Sequence, residues 1–305
     1  MRATLRDRIE HAALEGLLAF LRFFPRRVST AFAKGLVRLG TRIAPVRKRV
    51  ALENLRLSFP GWTLREREAT YRRMWDGLAE VLVEFARFRR RRPDPAAQRV
   101  RIPNPEAIAE ALAAGKGALF LTAHYGCWEG FAASVVAHGY PMVVLGARQR
   151  NPLVERLFAT YRERRGYRVI TVGKGLRPLV RALDEGYVVG TLADQDGGRL
   201  GFFLEFLGRP ASVQSGLFRL ASRRGTPLIV GFAERTGEAW EARVHGPFLP
   251  RPVAGPEAVE EEARRLAAIY NDLVEDAVRR RPDQWFWLHR RWHTRPPQEG
   301  PLTRT

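Results

Sequence analysis

Apolar residues follow two rhythms along this chain. The first 92 residues read as helical, with breaks at Pro25, Pro45 and Pro60–Gly61, residues that stop a helix or start a turn. Within them Leu14, Leu17, Leu18, Leu21 and Phe24 sit at i, i+3, i+4, i+7 and i+10, which puts them on one helical face. The run Arg89–Arg92 followed by Pro93, Asp94 and Pro95 reads as a connector. From about residue 105 the rhythm changes. Short apolar runs at 118–123, 142–145, 168–172, 187–192 and 228–233 alternate with helical stretches at 105–114, 129–137, 151–165, 176–184 and 212–224, a strand–helix pattern. Residues 239–244 are placed to pair back on 228–233 as a hairpin across Thr236–Gly237. Residues 256–280 read as a long helix, with proline near its start, acidic residues in its first turns and arginines at its end. The alternation predicts an α/β fold, a mixed central sheet flanked by helices over 93–305, behind a helical segment over 1–92. Sites in such sheets lie at strand ends.

Several candidate groups fall at those ends. His124 follows the first apolar run, Gly126 allows a tight turn, and Glu129 lies five positions on. On one continuous helix five residues would turn the two side chains about 140° apart. Across a strand–turn–helix junction they can converge, the carboxylate then fixing the imidazole tautomer and leaving the other nitrogen as a base. The helix start would offer backbone N–H groups to an oxyanion. A merely hydrogen-bonded histidine at a strand end has the same signature. Cys127-Trp128 faintly resembles the surroundings of a cysteine nucleophile, but no base histidine in a suitable context supports it, and a small buried thiol is the simpler reading. Asp194-Gln195-Asp196-Gly197-Gly198 follows the run 187–192, and Arg148-Gln149-Arg150 follows 142–145. These would bring carboxylates and cations to the same sheet end as His124, where the carboxylates could orient a base, hold a polar substrate or bind a divalent cation; a polar turn and a solvated basic loop are the plain alternatives. His289 and His293 are four apart but lack a third ligand, so no metal site is expected. Gln284 to Pro296 interleaves tryptophans with arginines, which suits base stacking, a membrane interface, or a tail that packs into the domain.

Composition adds one strong constraint. The 305 residues carry 52 Lys+Arg against 32 Asp+Glu, a net charge of +20, so the surface draws polyanions such as nucleic acid, an anionic leaflet or an acidic protein. The 45% hydrophobic content is that of a folded domain and excludes wholesale disorder. One cysteine excludes an intramolecular disulfide. No unbroken run of about 18 apolar residues is present, which argues against a spanning helix. The face from Leu14 to Phe24, flanked by Arg22, Arg26 and Arg27, suits either an interfacial helix or a helix packed on the domain.

Taken together the motifs resemble those of the lipid A biosynthesis acyltransferase family, the late lauroyl and myristoyl transferases, with the phosphatidylinositol mannoside acyltransferases as similar relatives. Arg49-Val50, Asn54-Leu55 and Phe59-Pro60 resemble its N-terminal signature, and His124 to Glu129 its H-x4-D/E motif in the form H-x-G-x-W-E. Asn151-Pro152 with Arg162 and Gly166, then Asp194-Gln195-Asp196 with Phe206 to Ala211 and Gly216, resemble the next two blocks. Gln284-Trp285, Trp287, His289 to Trp292 and Arg295-Pro296 resemble the last.

The resemblance implies transfer of an acyl chain from acyl carrier protein or coenzyme A, as co-substrate and with no bound cofactor, to a glycolipid hydroxyl, most simply on a lipid A precursor. His124 would be the base and Glu129 its orienting carboxylate; Arg148, Asp194, Gln195 and Arg162 would line the substrate site. In many members the arginine before Asn-Pro sits one place earlier, where this chain has Ala147. The expected partners are anionic membrane lipid, the glycolipid acceptor and acyl carrier protein, not nucleic acid. The expected location is the cytoplasmic face of the bacterial inner membrane, monotopic or peripheral. Transfer would be direct, without a covalent intermediate. The rival class is a non-catalytic basic protein that binds membranes or nucleic acid.

Overall fold

The computed structural model describes residues 3–87, 100–171, 173 and 176–297. The N-terminal helices are α1 (Leu5–Phe23), α2 (Arg26–Ile43), α3 (Lys48–Ser58) and α4 (Leu64–Ala86), so each expected break falls between two helices. Thr4 and Thr63 start α1 and α4 with capping boxes closed by Asp7 and Glu66, which satisfy backbone donors that a helix start leaves free. The expected connector at 89–95 and its boundary at 92/93 lie outside the described residues, as does Val172 at the end of the expected strand 168–172.

The α/β part runs β1 (Val100–Arg101), α5 (Glu106–Ala113), β2 (Ala118–Thr122), α6 (Trp128–Ala137), β3 (Met142–Gly146), α7 (Pro152–Arg164), β4 (Arg168–Thr171), α8 (Arg177–Asp184), β5 (Val188–Leu192), β6 (Phe202–Phe206), β7 (Arg209–Val213), α9 (Gly216–Arg224), β8 (Leu228–Thr236), β9 (Ala239–Phe248) and α10 (Pro256–Arg280). A seven-stranded sheet has the order β1-β9-β8-β2-β5-β3-β4 and is parallel except where β9 returns on β8. The central strand β2, Ala-Leu-Phe-Leu-Thr, is buried along its whole length, as a parallel strand covered on both faces must be. Leu119 and Leu121 join one core with α10 and the C-terminal tryptophans. Ala118 and Phe120 join the other, with α1, α5 and α6.

Two features differ from the sequence reading. The Phe206 to Ala211 block is part of a separate antiparallel hairpin, β6–β7. It turns at Leu207 and Gly208, both at positive φ, the conformation of a tight two-residue hairpin turn. The Leu207 N–H donates to Glu275 Oε2 at 2.6 Å, a bond that helps hold a non-glycine residue there. Because β7 extends to Val213, α9 begins at Gly216 rather than at 212. The Leu14-to-Leu21 part of the expected face packs on the domain: Leu18 and Leu21 are fully buried, with Leu14 and Leu17 packed against the same core, while Phe24 is exposed. No helix among the described residues is long and apolar enough to cross a membrane.

Candidate active site

The site follows from strand register. β2 and β5 are parallel neighbours with Thr122 opposite Leu192, and the Ala193 N–H continues the ladder to the Thr122 carbonyl at 3.1 Å. Two residues beyond each paired position stand His124 and Asp194. Their side chains meet at 2.8 Å, His124 Nδ1 to Asp194 Oδ1. The other carboxylate oxygen accepts the His124 backbone N–H at 3.0 Å and the Trp285 indole N–H at 2.8 Å. The Asp194 side chain is fully buried, the His124 ring partly open. Burial opposes ionisation of Asp194, but the charge and hydrogen bond of His124, the proximity of His289 and the Trp285 N–H outweigh it and hold the carboxyl at about 2. The carboxylate is therefore ionised near neutral pH and accepts the Nδ1 proton, so in the neutral ring Nε2 is the nitrogen with the lone pair. That is the tautomer of a general base.

Glu129 does not provide this contact. Its carboxylate accepts Arg162 Nη2 at 2.5 Å, Arg162 Nε at 3.2 Å and the Tyr167 hydroxyl at 2.9 Å. Glu129 lies in the first turn of α6 and Arg162 in the last turn of α7, so the fork joins two helices. The expected convergence of His124 and Glu129 is replaced by His124–Asp194, and Arg162, expected to line the substrate site, is committed to Glu129. Arg148 is exposed in the loop after β3, two strands across from β2; among the described residues no hydrogen bond or ion pair ties it to His124 or Asp194. Gln195 lies at the site, its side-chain nitrogen 3.4 Å from His124 Nε2 and 3.2 Å from His289 Nε2.

The turn between β2 and α6 explains the glycine in H-x-G-x-W-E. Gly126 has φ +56°, and a Cβ there would stand 1.8 Å from the Ala233 carbonyl oxygen, so both conformation and space demand glycine. The Gly126 N–H donates to the Gln284 carbonyl at 3.0 Å and the Cys127 N–H to the Ala233 carbonyl at 3.1 Å. Those two donors are occupied and the Gly130 N–H meets the Cys127 sulfur, which narrows the expected oxyanion donors to the N–H groups of Trp128 and Glu129 at the start of α6, left without helical acceptors. Cys127 is fully buried, and burial pushes its thiol up to about 12, so it holds almost no thiolate at neutral pH.

The C-terminal segment closes the site. The Phe286 N–H donates to the His124 carbonyl at 2.9 Å, and Trp285 and Trp287 are fully buried. Asn54 Nδ2, from the N-terminal signature, donates to the carbonyls of Trp287 and His289 at 2.9 and 2.8 Å. Thr294 donates through N–H and Oγ1 to Asp196. Distant motifs are thus one assembly. His289, expected only as part of the C-terminal signature and without a role, lies at the site. Its imidazole stands 4.7 Å, centroid to centroid, from that of His124. Ligand atoms of His124, Asp194 and His289 lie within 4.8 Å of one another, but both Asp194 oxygens already accept N–H hydrogen bonds.

Comparison with known proteins identifies the family. The family model for bacterial lipid A biosynthesis acyltransferases matches residues 7–294. A lipid A biosynthesis acyltransferase of Haemophilus influenzae is 26% identical over 284 residues, 91% of this chain and 86% of that one. The lipid A biosynthesis myristoyltransferase of Escherichia coli is 26% identical over 87% of this chain and 81% of its own. A phosphatidylinositol mannoside acyltransferase of Mycolicibacterium smegmatis is 27% identical over 60% of this chain and 59% of its own. With a model that spans nearly its whole length and relatives that carry the activity in their names, the chain belongs to the bacterial lipid A biosynthesis acyltransferase family and is an acyltransferase.

Proposed function

We propose that the protein moves a fatty acyl group from a thioester donor, acyl carrier protein or coenzyme A, to a hydroxyl of a membrane glycolipid, with His124 as base. The carrying observation is the 2.8 Å contact of His124 Nδ1 with buried Asp194, which makes Nε2 the lone-pair nitrogen of the neutral ring. His124 Nε2 takes the hydroxyl proton, the oxygen attacks the thioester carbonyl, the C–S bond breaks, and the imidazolium returns the proton to the departing thiolate. Asp194 stabilises the imidazolium between those steps. Base catalysis of this kind contributes roughly 10²–10⁴-fold. The relatives' names favour a lipid A precursor as acceptor; the mannoside acyltransferase relative makes another glycolipid the second reading.

The surroundings suit an anionic lipid substrate. Beside His124 lies a cavity of about 20 Å³ lined by Met74, Gly77, Leu78, Trp128, Trp240 and Phe286 among others. An adjoining groove of about 320 Å³ shares Gly77 and Trp240 with it and carries Lys34, Arg73, Arg235 and Arg281 against Asp76 and Asp283. The membrane face we assign is on α2. Val28, Phe32, Leu36, Leu39 and Ile43 repeat at i, i+4, i+8, i+11 and i+15 and are 43–75% exposed. An exposed apolar stripe on a basic helix fits peripheral attachment to an anionic leaflet, here the cytoplasmic face of the inner membrane. Burial of Trp285 and Trp287 takes them away from base stacking and disfavours the nucleic-acid reading. The test is mass spectrometry of glycolipids from cells with the wild-type protein, with His124→Ala, and without it. We expect one species lighter by one acyl chain in the last two; a full acyl complement with His124→Ala would refute the assignment.

A further inference from the structure

Gln195 stands between two imidazoles, and the hydrogen-bond balance fixes what each group does. Its side-chain nitrogen is 3.4 Å from Nε2 of His124 and 3.2 Å from Nε2 of His289. An amide nitrogen carries two hydrogens and no lone pair to give. With the nitrogen inward, both imidazoles must accept at Nε2. The opposite orientation would turn Oε1 inward and require a proton on Nε2 of each ring. His124 already gives its Nδ1 proton to an ionised carboxylate, so that orientation would make it an imidazolium beside the neutral Nε2–H form of His289. Burial, with the charges of His124, Arg47 and Arg291, outweighs the pull of Asp194 and lowers His289 to about 4, so it is neutral near pH 7 and free to accept.

We propose that Gln195 and His289 are a positioning pair for His124. The Gln195 amide donates to both Nε2 atoms, holding the His124 ring and covering its lone pair until the acceptor hydroxyl arrives, while His289 anchors the amide. This rests on the reading of His124 as base. The two bonds differ in a useful way. The 3.4 Å bond to His124 is at the limit of a hydrogen bond, and the 3.2 Å bond to His289 is the firmer one. An arriving hydroxyl displaces the long bond, and Gln195 stays docked on His289. His289 is held in turn from the N-terminal helices, through Asn54 Nδ2 on its carbonyl at 2.8 Å, and by the Phe286 ring at 4.7 Å. The charged and titratable groups around the pair are Asp194 after β5, Arg47 ahead of α3, and Arg291 on the C-terminal segment, and the Asp194 charge in turn raises Tyr270 of α10.

The test uses the purified full chain labelled with ¹⁵N-histidine, with two-bond ¹H–¹⁵N spectra and a pH–rate profile for each variant. Gln195→Glu puts a carboxylate against Nε2, and a carboxylate that close favours the protonated ring by about 1–3 pH units. The acid limb of kcat/KM and the His124 titration should both move up by at least about one unit. Neither moving in a folded variant overturns the proposal. His289→Gln keeps an acceptor for the amide and should hold kcat within about threefold, whereas His289→Leu should lose about tenfold or more in kcat with KM little changed. Equal losses at matched Tm overturn the anchoring role. The spectra need no turnover. If the His124 titration moves but His124→Ala remains active, the base assignment fails while the hydrogen-bonded pair stands.

Discussion

Asp194→Asn isolates the contact on which the chemistry depends. The asparagine is close to isosteric, so the perturbation is one charge and the placing of two amide hydrogens. The position of Oδ2 faces two donors, the His124 backbone N–H at 3.0 Å and the Trp285 indole N–H at 2.8 Å. The amide oxygen must go there, because a nitrogen would set N–H against N–H twice. The amide NH₂ then faces His124 Nδ1, which must become an acceptor, and the ring proton moves to Nε2. The variant holds the tautomer that cannot act as a base. It also loses the anion beside the imidazolium: two unit charges at 2.8 Å attract by roughly 6 kcal/mol at an effective dielectric near 20. Both routes point to a kcat loss of about 10⁴-fold. The assay is single-turnover acyl transfer from a labelled thioester, with urea midpoints to confirm folding and ¹⁵N spectra to read the tautomer. A folded Asp194→Asn enzyme within about tenfold of wild type, or one that keeps its proton on Nδ1, refutes the reasoning.

Four further outcomes are expected. Cys127→Ala should stay within about twofold of wild-type activity and cost on the order of 1 kcal/mol, since the thiol is buried and protonated; complete loss of turnover in a folded variant would restore the nucleophile. Stability should fall with acid in two steps: His289 has its pKa at about 4 when folded against 6.5 free, so from about pH 6.5 down to 4 the unfolded chain binds a proton the folded one refuses, worth about 3 kcal/mol. Asp194, at about 2 folded against 3.8 free, adds about 2 kcal/mol lost as pH falls from about 3.8 through 2; urea midpoints that do not move between neutral pH and pH 4 would exclude the upper step. Phe32→Glu with Leu39→Glu on α2 should weaken binding to anionic vesicles by about 10-fold or more while leaving Tm near wild type, and unchanged sedimentation with vesicles would remove α2 from the membrane face. Glu129→Gln leaves the Arg162 guanidinium largely buried without its anion and should cost about 3–5 kcal/mol, while adding Arg162→Met should recover most of it and leave kcat well above that of Asp194→Asn; a double variant that is stable but as slow as Asp194→Asn would return Glu129 to the chemistry.

The contrast between Glu129 and Asp194 marks what the chain could disclose before its coordinates. The apolar runs at 118–123 and 187–192 were legible as strands because fully buried parallel strands are written as continuous apolar residues. The prolines at 25, 45 and 60 marked the helix joints for an equally local reason. His124, Asp194 and Gln195 were legible as site candidates because each follows such a run. Their pairing was not, because it depends on which strands are neighbours and in what register, and strand order is written nowhere in a local pattern. Proximity in sequence pointed from His124 to Glu129, five residues on; register pointed to Asp194, seventy residues on, since Thr122 and Leu192 are level and each side chain stands two residues beyond. The hairpin at Leu207-Gly208 was hidden because its turn uses a leucine at positive φ, which no propensity suggests. His289 was hidden because its place depends on Asn54, 235 residues away, holding its carbonyl. The H-x4-E motif therefore divides into two jobs on physical grounds. Its histidine reaches forward past the strand end to the carboxylate of the adjacent strand, while its glutamate, turned to the α7 side, clamps α6 to Arg162 and fixes the helix start that the Gly126 turn feeds. A carboxylate with both oxygens on one guanidinium and a third bond to Tyr167 has little capacity left to orient an imidazole, and a buried carboxylate bonded to the ring on one oxygen and to two N–H donors on the other has that orientation built in.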